Sequence, residues 1–415
     1  MVHSNETANE TANETGRNAQ MAKYRVAIIA CGQIARSHAY GWQAIPEAEI
    51  WTIADTNEDA RREFGEHFGV PEERRYTDLR EMLDRERPDF VSVCSWHPLH
   101  AEFTIAAAAR KPKAIICDKP MATCLGEADE MITACSRERV KLAIGHQRRF
   151  LANWAEAARL VRAGAIGDPV RGSVNTGVGL LNNATHSIDM LRYLLGDPET
   201  EWVMGNVQRR SDRYERSIPC EECAIGTVGF AGGAIGTILS GVPFPRGPQQ
   251  AESRPPWVQV FGTRGMIEVG IGRPDPARRP LRDDGAMRVS ERFPSAHYND
   301  EEGTARLFND ETKGWQTIDV PFRDPFAGEM RELVDWAEGK IDDHRGSARN
   351  ARATIEIMMA IYESARLTEL VRIPLETRAN PLQLMIDDGI LPVSRPGAYE
   401  TRATLVRGEG MNWNR

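Results

Sequence analysis

Short apolar runs alternate with amphipathic stretches from residue 24 to about residue 145. Several runs are rich in Val and Ile, which is typical of strands buried on both faces of a parallel sheet. The runs are Tyr24–Ala30, Ile50–Ala54, Phe90–Cys94, Ala114–Cys117 and Leu142–Ile144. Predicted helices between them are Ile34–Ile45, Glu58–Phe68, Leu79–Arg85, Leu99–Arg110 and Leu125–Ser136. This alternation predicts a doubly wound α/β domain of the Rossmann type over residues 23–147.

The pattern changes after residue 147, where strand-like runs follow one another through turn signals instead of helices. Those runs are Val170–Val178, Glu201–Val207, Ala224–Phe230, Ala234–Leu239, Val258–Phe261 and Met266–Val269. Helices are predicted at Leu151–Ala163, Asn183–Leu195, Phe326–Glu338 and Ser347–Leu370, with Ser347 as N-cap. Directly joined strands are typical of antiparallel sheets. We therefore expect an α+β domain over residues 148–375, with a large, mostly antiparallel, open-faced sheet.

Three segments lack this periodicity. Residues 1–22 are polar and repetitive, which predicts a disordered tail. Residues 271–312 are rich in Arg, Asp, Pro and Gly and are predicted to form an irregular insertion. Residues 376–415 have few periodic features, and we expect an arm that lies over the body or over a partner subunit.

Charge, hydropathy and cysteine content argue against several classes of protein, namely nucleic-acid-binding, membrane and secreted proteins. The net charge of -8 offers no electrostatic case for nucleic acid, and no apolar stretch approaches the roughly 20 residues of a membrane helix. The start of the chain lacks the apolar core of a secretory signal. Seven cysteines spread through apolar runs indicate reduced thiols in a cytoplasmic protein. Cys220 and Cys223 form a lone CxxC without a second pair, so we expect no metal site.

The first predicted strand runs into a glycine turn. Residues 30–35, ACGQIA, fit the slots of the G-x-G-x-x-G/A motif, with alanine in the first glycine position. The middle glycine lets the backbone approach a pyrophosphate, and free N–H groups at the helix start face the phosphates. If the first slot needs a positive φ, Ala30 costs about 1 kcal/mol there. A strand–turn–helix without a ligand would look similar, so the motif alone is weak.

An acidic residue after the second strand strengthens the prediction. Asp55 follows Gly32 by 23 residues, where a carboxylate can bind the ribose hydroxyls and would repel a 2′-phosphate. This position favours NAD over NADP. The alternative is that Asp55 is only the N-cap of the helix that follows.

Three further segments come at the carboxyl ends of predicted parallel strands, where open α/β sheets bind ligands. They are Ser95–His100 (SWHPLH), Asp118–Pro120 (DKP) and Gly145–Phe150 (GHQRRF). Together with the glycine turn, Ser37-His38, Asp55, the segment NNATHSID at 182–189 and GTRG at 262–265, they resemble the Gfo/Idh/MocA oxidoreductases over about residues 24–375. The resemblance implies NAD(P)-dependent oxidation or reduction of sugars and cyclitols.

The resemblance also implies residue roles. Lys119 matches the lysine of the family's Glu-Lys-Pro motif, whose peptide bond to proline is often cis, and an ammonium there can hold a substrate hydroxyl and stabilise alkoxide character. His186 matches the histidine of an Asp-x-Gly-x-His pattern and would act as the general base, with Asn182 in the aspartate position. Asparagine can hydrogen-bond substrate but cannot be a base. Proton transfer is therefore expected at His186, helped by Lys119.

The remaining site residues follow from the same resemblance. Asp118 replaces the usual glutamate, and Trp96 and His97 stand where relatives commonly carry Pro and Asn. We expect Asp189 to cap its helix or to pair across it. The predicted cofactor contacts are Ala30, Gly32, Gln33, Ile34, Asp55, Ser95, Trp96, His97, His100, Asp118 and Lys119. The predicted substrate contacts are His146, Arg149, Asn182 and His186.

The leading functional hypothesis is an NAD-dependent dehydrogenase for a secondary hydroxyl of a sugar, glycoside or cyclitol. Two alternatives stay open at this stage. One is a glycoside hydrolase that oxidises C3 transiently, eliminates the substituent and returns the hydride, and the other is a non-catalytic NAD-binding sensor. Fold alone does not decide between them. Relatives are dimers or tetramers, so we expect a homo-oligomer.

Overall fold

The computed structural model describes residues 24–241, 258–270 and 305–394. The predicted disordered tail, most of the predicted insertion and the last part of the predicted arm lie outside these ranges. Among the described residues, no helix is long and apolar enough to cross a bilayer.

A six-stranded, fully parallel sheet forms the first unit, with strand order β3-β2-β1-β4-β5-β6. Its strands are β1 (Tyr24–Ile29), β2 (Ala48–Ala54), β3 (Arg75–Tyr76), β4 (Phe90–Val93), β5 (Ala114–Asp118) and β6 (Lys141–Gly145). The helices are α1 (Gln33–Gln43), α2 (Glu58–Phe68), α3 (Leu79–Glu86), α4 (His100–Ala108) and α5 (Leu125–Glu138). The β4 and β5 residues are buried throughout, as strands covered on both faces must be. The predicted Rossmann-type sheet is confirmed.

The second unit is built on a nine-stranded sheet of order β16-β15-β14-β13-β7-β12-β11-β8-β17. Its strands are β7 (Pro169–Thr176), β8 (Thr200–Gln208), β11 (Cys223–Phe230), β12 (Ile235–Ser240), β13 (Val258–Gly262), β14 (Gly265–Val269), β15 (Ala305–Asn309), β16 (Gln316–Thr317) and β17 (Val371–Arg372). Every neighbouring pair is antiparallel except β7 with β12. A separate hairpin joins β9 (Tyr214–Glu215) to β10 (Ile218–Pro219). The prediction of a mostly antiparallel sheet is confirmed.

The helices after residue 150 pack either on one face of this sheet or against the parallel unit and neighbouring helices. They are α6 (Ala152–Arg162), α7 (Thr185–Leu194), α8 (Pro325–Ala337), α9 (Ala348–Leu367) and α10 (Pro381–Asp387). Most of α9 is buried, and it packs against β8 and against α5 of the parallel unit. The helix therefore fixes the two sheets relative to each other.

The structure corrects the prediction for one irregular segment and decides between the two alternatives for part of another. Residues 305–309, placed in the insertion, form the sheet strand β15 because their alternate residues Ala305 and Leu307 bury against the core. The first part of the predicted arm contains α10, whose Leu382 and Met385 are buried in the main core, so this part lies over the body. Ser347 takes the N-cap position of α9, but its hydroxyl bonds Asp343 at 3.1 Å instead of a helix N–H.

Candidate active site

The glycine turn has the strained geometry that the sequence suggested. Ala30 has a φ of 69°, in the left-handed region, and its N–H donates to the Ala54 carbonyl at 2.7 Å. The next N–H, of Cys31, donates to the Asp55 carboxylate, also at 2.7 Å. These two bonds tie the turn to the end of β2, which offsets the cost of about 1 kcal/mol for alanine in that conformation.

The start of α1 presents open space at the N-terminal end of the helix. A Cβ built on Gly32, the N-cap, would meet no protein atom within 4 Å. No side chain caps α1, whose first residue Gln33 is exposed and whose second, Ile34, is half-buried. The first N–H groups of a helix lack partners within it and favour an anion. The space and the donors fit the pyrophosphate of a dinucleotide.

Asp55 lies at the carboxyl end of β2, beside this turn. Its other oxygen accepts from the N–H of Asn57 at 2.7 Å, and the side chain is half-buried. The cap of α2 is Asn57, whose side chain accepts from the N–H of Ala60 at 2.9 Å. The alternative in which Asp55 serves as N-cap is therefore wrong. Its carboxylate lies beside the glycine turn, and its role in binding ribose stays a prediction.

The segment after β4 forms a single 3₁₀ turn, His97–Leu99, that leads into α4. The ring nitrogens of His100 lie 2.9 Å from the Ser95 carbonyl oxygen and 2.8 Å from the Pro120 carbonyl oxygen, so His100 ties this segment to the next strand end. His97 is buried, and burial together with nearby cationic groups lowers its pKa to about 2. Trp96, half-buried, begins the turn.

Lys119 follows β5, and its peptide bond to Pro120 is cis, as predicted. Its ammonium lies 3.2 Å from the carbonyl oxygen and 3.3 Å from the side-chain oxygen of Asn182. Burial lowers the pKa of Lys119 to about 8, with Asp118 opposing the shift and the guanidinium groups of Arg216 and Arg148 adding to it. The ammonium is therefore joined directly to the second unit.

Asn182 lies in a short π-helical turn, Leu180–Ala184, that leads into α7. Such turns leave backbone groups unpaired and are frequent at functional sites. The turn starts at Gly179, whose φ is 97° and whose carbonyl accepts the N–H of Ala184. Below it, the buried Glu221 carboxylate accepts from the Leu180 N–H and the Tyr362 hydroxyl, both at 2.6 Å. The π turn is thus fixed from inside the protein.

His186 is the second residue of α7 and is buried. Neither ring nitrogen has a hydrogen-bond partner in the part of the chain that the structure describes. The pKa of His186 lies well below its usual value because of burial, then the positive charges of Arg148 and Lys119 and the nearby His146. Desolvation and the neighbouring cations therefore favour the neutral ring.

Two predicted substrate contacts lie in a buried ion-pair cluster. The Arg149 guanidinium donates to Asp189 at 2.7 and 2.8 Å and to Asp197 at 2.7 and 2.8 Å. The ring of His146 lies 3.2 Å from the Thr185 hydroxyl and 3.3 Å from Asp189. The expectation that Asp189 caps or pairs across its own helix is wrong, because its partner comes from the 3₁₀ turn Gln147–Phe150. Arg149 therefore binds two carboxylates and connects the 3₁₀ turn to α7.

The β9–β10 hairpin brings residues that the sequence argument missed. The Glu215 carboxylate accepts from the side-chain nitrogen of Asn182 at 2.6 Å. Arg216, at the tip, adds a positive charge that lowers the pKa of both Lys119 and His97. No periodicity marks residues 211–220, and only the fold brings the hairpin to the ends of the parallel strands.

All seven cysteines lie in the described ranges and are free thiols. The Cys220 thiol lies 3.9 Å from the Glu215 carboxylate. No three His, Cys, Asp or Glu side chains form a metal-binding group within residues 24–241, 258–270 and 305–394.

Comparison with known proteins identifies the family. Residues 24–146 match the sequence profile of the Gfo/Idh/MocA oxidoreductase family, NAD-binding Rossmann fold, and residues 171–268 match the Gfo/Idh/MocA C-terminal domain. The chain belongs to the Gfo/Idh/MocA oxidoreductase family. The resemblance drawn from its motifs is therefore confirmed.

The individual relatives that the chain matches are named as different sugar or cyclitol oxidoreductases. The chain is 30% identical to a myo-inositol 2-dehydrogenase of Thermotoga maritima over 260 residues, which cover 59% of this chain and 74% of the relative. It is 32% identical to a D-apiose dehydrogenase of Paraburkholderia graminis over 192 residues, 42% of this chain and half of the relative. An aldose-aldose oxidoreductase from Caulobacter crescentus, complexed with glycerol, superposes with a TM-score of 0.66 at 21% identity, over 85% of this chain and all of that one.

Proposed function

We propose that this family member is an NAD-dependent dehydrogenase that transfers a hydride between nicotinamide and a secondary hydroxyl of a sugar, glycoside or cyclitol. The observation that carries the proposal is one cluster at the ends of the parallel strands. The Lys119 ammonium contacts Asn182, and its positive charge acts on His186, whose two ring nitrogens lack hydrogen-bond partners among the described residues. The names of the inositol and apiose dehydrogenases support a polyhydroxylated substrate.

The first unit supplies the groups that would hold NAD. The N–H groups after Gly32 would bind the pyrophosphate, and Asp55 would accept from the ribose hydroxyls. Ser95, Trp96, His97 and Asp118 border the same end of the sheet. When bound, the cofactor supplies the hydride acceptor. The negative charge of Asp55 favours NAD over NADP, because a 2′-phosphate would meet a carboxylate.

The second unit supplies the acid–base groups. His186 is neutral at physiological pH, so it can accept the hydroxyl proton at either unbonded nitrogen. Lys119 is an ammonium below about pH 8, where it donates to the substrate oxygen and stabilises alkoxide character. Asn182 orients that ammonium through two contacts. Activity is then expected to decline as pH rises through about 8, while His186 contributes no acidic limb near pH 6.5.

The test is formation of NADH by the purified protein with NAD and a panel of sugars and cyclitols. Lys119→Ala and His186→Ala are each expected to lower kcat/KM by a factor on the order of 100 or more. The control is Lys113→Ala, which removes an exposed lysine before β5 and should keep the parent rate. Full turnover in the Lys119 or His186 variant contradicts these roles. Release of sugar without net NADH identifies a hydrolase instead.

We also propose a homo-oligomer in a reducing compartment such as the cytoplasm. One face of the nine-stranded sheet is covered by helices, and on the other Met204 and Ile225 are 53% and 52% exposed. An apolar sheet face of this kind fits a second copy of the chain. The free thiols agree with a cytoplasmic location.

A further inference from the structure

The site has a carboxylate that its motifs do not explain. Glu215, on the β9–β10 hairpin, accepts from the Asn182 side-chain nitrogen at 2.6 Å. The other side of the same amide faces Lys119, with 3.3 Å between the Asn182 oxygen and the ammonium. The side chains of Glu215, Asn182 and Lys119 therefore form a row of polar contacts that connects the hairpin, the π turn and the end of β5.

A carboxylate fixes which way an amide points. An amide group has a donor end and an acceptor end, whereas an ionised carboxylate only accepts. Glu215 therefore holds the nitrogen of Asn182 toward itself and the oxygen toward Lys119. Without Glu215, only the ammonium would hold the amide in this orientation, and rotation of the amide would remove the contact at 3.3 Å while the backbone contact at 3.2 Å stays.

Glu215 is itself tightly placed. A Cβ at Gly179 would lie 2.7 Å from its second oxygen, so the carboxylate occupies the space that glycine leaves. The Cys220 thiol lies 3.9 Å from that oxygen. The hairpin turn places Arg216 and Ser217 at φ values of 50° and 69°, which favour glycine or asparagine. The chain tolerates this strain to hold the hairpin over the π turn.

We propose that Glu215 is a positioning residue of the dehydrogenase reaction, which orients Asn182 and, through it, the Lys119 ammonium. The inference rests on the function proposed above. Besides orienting Asn182, Glu215 acts on Lys119 electrostatically, because its negative charge favours the charged form of Lys119. Other charged or titratable groups that interact with Lys119 are Asp118, Arg148, Arg216, His97, His146 and His186.

The test compares Glu215→Gln with the exchanged pair Asn182→Asp/Glu215→Gln. The single variant keeps a hydrogen-bonding side chain but removes the charge and the fixed polarity, so kcat should fall on the order of tenfold to a hundredfold. The alkaline decline of its pH–activity profile should move to lower pH by about one unit, because loss of an anion lowers the pKa of Lys119. The exchanged pair places a carboxylate at position 182 and an amide at 215, which restores both hydrogen bonds, so kcat and the pH of this decline should recover toward the parent.

The control is Glu222→Gln, whose carboxylate accepts from the Arg210 N–H and the Ser211 hydroxyl nearby. It should keep the parent kcat and pH profile. A parent-like rate and pH profile in Glu215→Gln, or an exchanged pair no better than that single variant, overturns the proposal.

A second readout separates this inference from the proposed function. Competitive acetylation by acetic anhydride, followed by mass spectrometry, reports the titration of the Lys119 amine without turnover. Glu215→Gln should make Lys119 more reactive at pH 7, and the exchanged pair should reverse the change. If no substrate yields NADH but this labelling pattern appears, the dehydrogenase function fails and the coupling of Glu215 to Lys119 stands. Unchanged labelling in Glu215→Gln refutes the coupling.

Discussion

Asp55 accepts two backbone hydrogen bonds, from Cys31 and Asn57, and still borders the space above Gly32. Asp55→Ala should weaken NAD binding by roughly tenfold to a hundredfold, since a hydrogen bond to a charged group contributes about 1.5–3 kcal/mol. Affinity for NADP should rise relative to NAD, because the repulsion of the 2′-phosphate disappears. Fluorescence titration with both cofactors measures the ratio. Asn57→Ala, which removes the α2 cap and keeps the Asp55 carboxylate, should lower stability and leave the ratio unchanged.

The site residues that could be predicted from sequence share one property. Gly32, Asp55 and Lys119 each lie within three residues of the end of a largely buried strand, so recognising the strand also places the residue at the ligand-binding edge. His186 was reached through a motif, since nothing in its local pattern distinguishes it from a core histidine. Glu215 could not be found, because its partner Asn182 is 33 residues away and only tertiary packing brings them together.

The π turn is the element on which the geometry of Asn182 depends. Gly179→Ala places a Cβ 2.7 Å from the Glu215 oxygen and 3.3 Å from the Cys220 sulfur, on a backbone with a φ of 97°. We expect a loss of stability of about 1–2 kcal/mol from the backbone and a lower kcat from the displaced carboxylate. Gly232→Ala is the matched control, with a φ of 89° and no atom within 4 Å of the new Cβ. Urea unfolding should show similar losses in both variants. Equal kcat in both would show that Gly179 does not act on the site.

Helices and strands with a strong hydrophobic periodicity were predicted well, whereas short elements were not. The helix Glu58–Phe68 has the predicted bounds, because an N-cap asparagine and a left-handed glycine, Gly69, mark its two ends. Strand β3, of two residues, carries too little pattern to be recognised. The predicted helix from Asn183 begins as a π turn, since propensity does not separate a π turn from an α-helix. Strand β15 was hidden by its polar neighbours and is specified by pairing with β14.

At the scale of the whole molecule, the two units share their cores. Helix α8 follows strand β16 in sequence, yet its Met330, Leu333 and Val334 bury in the same cluster as the β1 residues Val26 and Ile28. A Cβ at Gly41 of α1 would lie 3.0 Å from Phe326, so the two helices are in close contact. A division of the sequence at residue 147 therefore separates strands correctly but assigns to the second unit a helix that covers the first. Sequence order alone could not show this return.

The open face of the nine-stranded sheet is where we expect a second copy to bind. Ile225 lies opposite Leu239 on the neighbouring strand, and both are exposed on the side away from α9. A charge at their centre would be buried without a partner in an oligomer but solvated in a monomer. Ile225→Asp should therefore shift the protein toward monomer in light scattering coupled to size exclusion, with the Rossmann unit still able to bind NAD. Leu367→Asp alters a similarly exposed apolar residue, at the end of α9, and should leave the mass unchanged. An Ile225→Asp variant with the parent's oligomeric mass would place the interface elsewhere.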